Sequence, residues 1–183
     1  MKFISTNING LYEIELDVFT DSRGWFARTY CKNEFNAIHH NKEWTQMNHS
    51  FTAKKGALRG MHYQIPPFHE VKMVRCIAGA IFDVAIDLRK GSPTFLKWHS
   101  VELSAANRKM LYIPEGLAHG FQTLTENCEL IYHHSSFYTP GSEGGFRYND
   151  TAFAINWPLP ISEISDRDMN HPFVNTTFEG IIL

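Results

Sequence analysis

The sequence predicts an all-β jelly-roll barrel with a few short helices. Long helical periodicity is scarce, and short apolar runs follow one another at a spacing near ten residues, each closed by turn residues. Near the N-terminus, Tyr12, Ile14, Leu16 and Val18 alternate with Glu13, Glu15 and Asp17, the period of a half-buried strand. With that spacing, successive hairpins are expected to stack into a closed or double-sheet roll.

The elements follow in order. Asp21-Ser22-Arg23-Gly24 reads as a turn after the first strand. A short helix is expected over Glu34–His39, capped by Asn33. Strands are then expected over Val71–Ile77, Ile81–Leu88, Lys97–Leu103, Met110–Ile113, Ala118–Leu124 and Glu129–Phe137. Their terminators are Gly79, Gly91-Ser92-Pro93, Ala106-Asn107, Pro114-Glu115-Gly116, Glu126-Asn127 and Pro140-Gly141. From Asp150 onward the chain reads as irregular coil with at most short helices.

Composition sets the outer limits. The 183 residues suit one domain over 1–183, with enough chain to bury a core. A net charge of −2 gives no electrostatic case for binding nucleic acid or membrane surfaces. No apolar run approaches the roughly 18 residues of a membrane helix. Cys31, Cys76 and Cys128 are odd in number, widely spaced and without a CxxC pair, and read as reduced thiols of a cytoplasmic protein.

Strand alternation also reveals polar residues on apolar faces. Tyr132 shares a row with Cys128, Leu130 and His134; Lys72 with Val74 and Cys76; His119 with Phe121 and Thr123; His62 with Leu58, Gly60 and Gln64. Singly, each has an ordinary explanation: a hydrogen-bonded core histidine, a rim tyrosine, a snorkelling lysine. Together, at the mouth of a small barrel, they look like a base, a charge stabiliser and an acid around a ligand.

Several motifs then fall in register. Gly56-Ala57-Leu58-Arg59-Gly60-Met61-His62-Tyr63-Gln64, Asp83-Val84-Ala85-Ile86-Asp87-Leu88-Arg89 followed by Gly91-Ser92-Pro93-Thr94-Phe95, and Ile113-Pro114-Glu115-Gly116-Leu117-Ala118-His119-Gly120-Phe121 are similar to segments of the dTDP-4-dehydrorhamnose 3,5-epimerase family. Tyr138-Thr139-Pro140, Glu143, Asn149-Asp150 and Ile164-Ser165-Asp166-Arg167-Asp168 continue the resemblance, which runs from about Gly10 to Asp168.

The resemblance implies a cupin-type jelly roll, a homodimer, no cofactor and no metal, acting on a nucleotide-diphosphate 4-keto sugar. It also implies roles. His62 resembles the catalytic base and Asp168 its dyad partner; Tyr132 resembles the general acid; Lys72 resembles the stabiliser of charge on the sugar oxygen. Arg23, Phe26, Gln46, Asn48, Arg59, His119, Glu143 and Arg167 match substrate-binding positions, and Tyr138 an aromatic stacked on the base. The family's Asp-x-Arg-Gly-x-Phe-x-Glu reads here Asp21-Ser22-Arg23-Gly24-Trp25-Phe26-Ala27-Arg28. Arg28 therefore stands where a carboxylate would read the base, and a guanidinium only donates hydrogen bonds. That departure leaves the nucleotide open: dTDP, GDP and CDP are alternatives.

Two further points stay open. Arg59 and His62 are three apart, so a regular strand aims them at opposite faces; either Gly60 bends the chain or the two meet the ligand from different directions. Epimerisation at C3 alone is an alternative to epimerisation at C3 and C5. A metal-dependent cupin is disfavoured, because His62-Tyr63-Gln64 lacks the second histidine of the usual pair, His69-Glu70 sits beside a Pro66-Pro67 turn, and His133-His134 face opposite ways. A non-catalytic sugar-binding roll has no need of His62, Asp168 and Tyr132 together.

Overall fold

A computed structural model describes all residues, 1–183. In chain order the elements are β1 (Lys2–Ser5), β2 (Tyr12–Glu15), β3 (Val18–Asp21), β4 (Gly24–Ala27), α1 (Lys32–Phe35) with a 3₁₀ turn over Asn36–Ile38, β5 (Gln46–Thr52), β6 (Ala57–Gln64), β7 (Lys72–Ala78), β8 (Ala80–Asp87), β9 (Trp98–Ser104), β10 (Met110–Ile113), β11 (Leu117–Thr123), β12 (Cys128–His134), β13 (Glu143–Gly145), β14 (Glu163–Ile164) and α2 (Asp166–Met169). Each of the six strands expected between residues 71 and 137 is present. The last stops at His134 rather than Phe137.

Two sheets face each other. One runs β1-β2-β10-β7-β12-β5, the other β13-β6-β11-β8-β9, with β14 added in parallel on β6. Among the six strands from β7 to β12, only β8 and β9 are sequence neighbours that pair as a hairpin. The other turns carry the chain from one sheet to the other, which is jelly-roll wiring rather than stacked hairpins. The expectation of stacked hairpins is corrected on that point.

The inward rows predicted from alternation fill the space between the sheets. Val74, Cys76 and Leu130 from one sheet meet Ile81, Ala85 and Phe121 from the other, with Tyr132 packed against them. Burying each large aliphatic side chain of such a layer is worth about 1.5–3 kcal/mol. Cys76 and Cys128 are buried in this layer, and all three cysteines are unpaired thiols.

The outer faces are covered too. Phe35 and Ile38, from α1 and the 3₁₀ turn, pack with Ile14, Met73, Met110 and Tyr112 on the first sheet. The irregular C-terminal segment lies on the second, where Phe146, Phe153 and Ile181 join Met61, Val84 and Ile86.

Three local expectations change. The alternating run from Tyr12 to Val18 is two strands, because the chain leaves the first sheet after Glu15 and enters the separate β3–β4 hairpin, whose turn is the expected Ser22-Arg23. Cys31, not Asn33, occupies the N-cap of α1, and no side chain caps it. The row Leu58-Gly60-His62-Gln64 is broken at Gly60. On β11, His119 faces His62 and Phe121 faces Arg59, so three residues of β6 span two of β11. This is a β-bulge, and it puts Arg59 and His62 on one face. Glycine is required there: φ is +130°, and a Cβ would stand 2.5 Å from Gly120 Cα and 3.0 Å from the His119 carbonyl oxygen.

Candidate active site

The bulge sets up the site. β6 and β11 supply one wall of a cavity between the sheets, and β5, β7 and β12 supply the other. The cavity holds about 550 Å³ and is lined by His62, Arg59, His119, Lys72, Tyr132 and His134, with Asn48 and Ser50 at its edge. An adjoining hollow of about 420 Å³ shares Arg59 and His62 and reaches Arg167 and Asp168.

Asp168 lies 106 residues from His62 but comes to it from α2. Ser165 caps that turn, its Oγ accepting from the Asp168 N–H at 3.1 Å. The carboxylate is 5% exposed and accepts from His62 Nε2 at 2.7 Å and from the Gly60 N–H at 3.0 Å. Burial alone would raise its pKa; the hydrogen bond and charge of His62, with the Gly60 amide, outweigh burial and hold the group below the usual carboxylate value. With Nε2 donating to Asp168, the neutral imidazole keeps its lone pair on Nδ1.

Across the cavity, Tyr132 shares a hydrogen bond of 3.1 Å with Ser50 Oγ. Burial pushes its phenol well above the ordinary tyrosine value, and the nearby Asp83 adds to this. The hydroxyl is therefore a reserve of one proton at neutral pH. Lys72 reaches the cavity from β7, its Nζ 3.3 Å from Glu70 Oε1. His119 bonds Asp83 Oδ1 at 2.7 Å, both side chains buried. Arg59 is held by Thr52 Oγ1 and the Phe51 carbonyl at 3.1 Å each. Gln46 and Asn48 are joined at 3.1 Å, and Gln46 also accepts the backbone N–H of Tyr138 at 3.0 Å. Arg167 pairs with Glu143 at 3.0 Å near the rim.

The structure therefore gathers His62, Asp168, Tyr132, Lys72, Asn48, Arg59 and His119 around one cavity and its adjoining hollow, with Gln46 and Tyr138 joined to Asn48 through hydrogen bonds. Arg23, Phe26 and Arg28 lie elsewhere. They project from the β3–β4 hairpin, where Arg23 pairs with Asp21, Arg28 pairs with Glu34 at 2.7 Å, and Phe26 is 69% exposed.

Sequence reasoning missed four polar residues here. Asp83 shares the parity of Ile81 and Ala85 on β8, so its inward direction was readable. His134 shares the Tyr132 row, but parity alone assigns it no role. Glu70 precedes its strand and had no alternation to expose it, and His171 lies in the irregular tail. His171 lies beside the dyad, its Nε2 3.7 Å from Asp168 Oδ1. Burial and the nearby His62 lower its pKa. His62, Asp168 and His171 are the one set that could hold a metal ion, their ligand atoms lying within 4.8 Å of one another. Two of the three are the hydrogen-bonded dyad itself.

Fold and cavity together define a cupin-type jelly roll with a histidine–aspartate pair, a buried phenol and a lysine ammonium around a ligand-sized space. Residues 5–176 match the family described as dTDP-4-dehydrorhamnose 3,5-epimerase, and the chain belongs to that family. It is 43% identical over 171 residues to the dTDP-4-dehydrorhamnose 3,5-epimerase of Shigella flexneri, covering 93% of this chain and 94% of the relative. Its structure is similar to that of dTDP-6-deoxy-D-glucose-3,5-epimerase from Legionella pneumophila in complex with dTDP-4-keto-L-rhamnose. The TM-score is 0.89 at 36% identity, covering 94% of this chain and 92% of that one. It is also similar to a 3′-monoepimerase from Streptomyces bikiniensis in complex with dTDP-quinovose, with a TM-score of 0.85 at 35% identity, covering 92% and 85%.

Proposed function

We propose that this protein, as one catalytic domain over residues 1–183, inverts C3 and C5 of a dTDP-linked 4-keto-6-deoxysugar in deoxysugar biosynthesis. The observation that carries the chemistry is the placement of the His62–Asp168 dyad and Tyr132 on opposite walls of one cavity, with Lys72 between the sheets. The 4-keto group acidifies the hydrogens at C3 and C5. His62 Nδ1 takes one of them, and Asp168 steadies the imidazolium. The electron pair moves onto O4, and the Lys72 ammonium stabilises the enolate. Tyr132, kept protonated by burial, returns a proton to the opposite face of the same carbon. The centre is inverted with no net gain or loss of protons once solvent resets the two side chains.

Arg59 and His119 suit the diphosphate and sugar oxygens, with Asn48 and Gln46 beside them and Glu143, Arg167 and Tyr138 towards the nucleotide end. The relatives' named substrates favour dTDP, and the Arg28–Glu34 pair occupies the guanidinium without calling on a base. The β3–β4 hairpin supports a homodimer. It exposes Phe19, Trp25 and Phe26 beside Arg23, an apolar and cationic surface suited to a second copy of the chain. No helix is long and apolar enough to cross a membrane, and three free thiols fit a cytoplasmic setting.

The test is proton NMR in D₂O with dTDP-4-keto-6-deoxyglucose. Deuterium at both C3 and C5 is expected. Deuterium at C3 alone would make this a single-centre enzyme like the Streptomyces relative, and no exchange with dTDP-, GDP- or CDP-linked sugars would leave a binding module.

A further inference from the structure

Behind the catalytic wall lies a carboxylate that the mechanism does not use. Glu70 is 9% exposed in its side chain, and a buried carboxylate is costly unless its oxygens are paired. Each oxygen has its own partner: Oε1 meets Lys72 Nζ at 3.3 Å, and Oε2 meets His134 Nδ1 at 2.7 Å. Burial would raise the Glu70 pKa, but the two cation-forming partners outweigh it and hold the carboxyl at about 2. It is therefore ionised at neutral pH.

An ionised carboxylate can only accept hydrogen bonds, and that constraint passes along the wall from one side chain to the next. His134 Nδ1 must carry the proton, which leaves Nε2 as the ring nitrogen able to accept. Asn48 Nδ2 lies 3.3 Å from that Nε2 and donates to it. Asn48 therefore presents its oxygen to Gln46 Nε2 at 3.1 Å. Gln46 in turn has its own oxygen free to accept the Tyr138 N–H at 3.0 Å. Every hydrogen bond from Tyr138 to Glu70 runs one way, with the Tyr138 backbone N–H as the fixed donor at one end and the Glu70 carboxylate as the fixed acceptor at the other, where Lys72 donates to the same carboxylate from the opposite side.

We propose that Glu70 is a positioning residue that, through His134, fixes the donor–acceptor sense of the cavity wall from Lys72 to Tyr138. The consequence is a wall whose amides cannot flip while Lys72 is tethered, so one end of the cavity offers an ammonium and the other an ordered backbone and amide edge. This proposal rests on the epimerase reading for its rate effects, but the state of the imidazole does not.

The test uses the full chain with ¹⁵N-labelled histidine and reads the His134 ring nitrogens by NMR at a pH where free imidazoles are neutral. Wild type should show the Nδ1–H tautomer. Glu70→Gln should shift His134 wholly or partly to Nε2–H, because the amide can donate where the carboxylate could not. In the same variant, deuterium exchange into the sugar should fall about tenfold, as losing a partner behind a working side chain does. Glu70→Asp, which restores a carboxylate, should recover the tautomer and part of the rate. An Nε2–H tautomer in wild type would overturn the proposal, as would a Gln variant with an unchanged tautomer whatever its rate, or a changed tautomer with full rate. Wild type with the expected tautomer but no exchange would instead fault the epimerase reading.

Discussion

Replacing Asp168 by Asn changes the site by one oxygen and one charge. The carboxylate takes two hydrogen bonds at once, from His62 Nε2–H at 2.7 Å and from the Gly60 N–H at 3.0 Å. The amide has one acceptor oxygen. If it stays on Gly60, the NH₂ faces His62 Nε2, which must then accept, and the ring proton moves to Nδ1. That is the atom whose lone pair takes the sugar proton in the proposed mechanism. If the oxygen turns to His62, two donors face each other at Gly60 in a buried site, costing about 1–3 kcal/mol. The first arrangement is favoured, and the competent tautomer falls to a minor population. Loss of the charge that steadies the imidazolium adds to this. The same kind of exchange in a Ser-His-Asp triad costs about 10⁴-fold, and a positioned base contributes about 10²–10⁴-fold. We expect kcat for Asp168→Asn to drop by about 10²–10⁴-fold with KM within about threefold, followed as deuterium entry at C3 and C5 under saturating substrate. Turnover within about tenfold of wild type would refute the dyad.

Three further outcomes are expected from the geometry. Tyr132→Phe removes the buried phenol proposed as the donor to the opposite face, so net inversion should fall at least about a hundredfold while solvent deuterium still enters the substrate; simultaneous loss of both, with binding intact, would show that Tyr132 is not simply the acid. Gly60→Ala forces a Cβ against Gly120 and the His119 carbonyl at φ +130°, and should cost about 2 kcal/mol or more in a urea melt; an unchanged midpoint would contradict the close approach of the two strands. Asp87 is fully buried and held at about 2 by Arg89, Ser92 and Thr94, which outweigh burial. Its folded pKa is depressed, so its stabilisation of about 2 kcal/mol is present above 3.8 and lost as pH falls from 3.8 towards 2. Melting curves of wild type and Asp87→Asn should differ at neutral pH and converge in acid.

The strand rows were legible because alternation leaves a period-two record wherever one face is buried. Lys72, His119 and Tyr132 could thus be assigned to the barrel interior from parity alone. The same rule failed at β6, where one extra residue at Gly60 inverts the parity of everything before it. Arg59 and His62 share a face only because β11 counts two where β6 counts three. The wiring between sheets left no mark in the spacing, since a turn of a given length can close a hairpin or cross the roll. Asp168 was found through the motif resemblance, because nothing in an irregular tail records which strand it will meet. Glu70 lay outside any alternating run. The separation of Arg23, Phe26 and Arg28 from the cavity is likewise a matter of where one hairpin leaves the sheets, and turn chemistry alone does not report that.

The dyad joins two residues more than a hundred positions apart, one on a central strand and one on the last short helix. During synthesis, β6 is made long before α2, and His62 leaves the ribosome without the carboxylate that will orient it. Most of the sheet pairings around it also link distant segments, a topology that folds slowly for lack of local contacts. The proposed proton-transfer pair is therefore complete only once the last helix has been made and docked. A half-folded molecule that holds strands but has not docked the last helix lacks the dyad, so the recovery of exchange activity after denaturation reports the closing of this long-range contact.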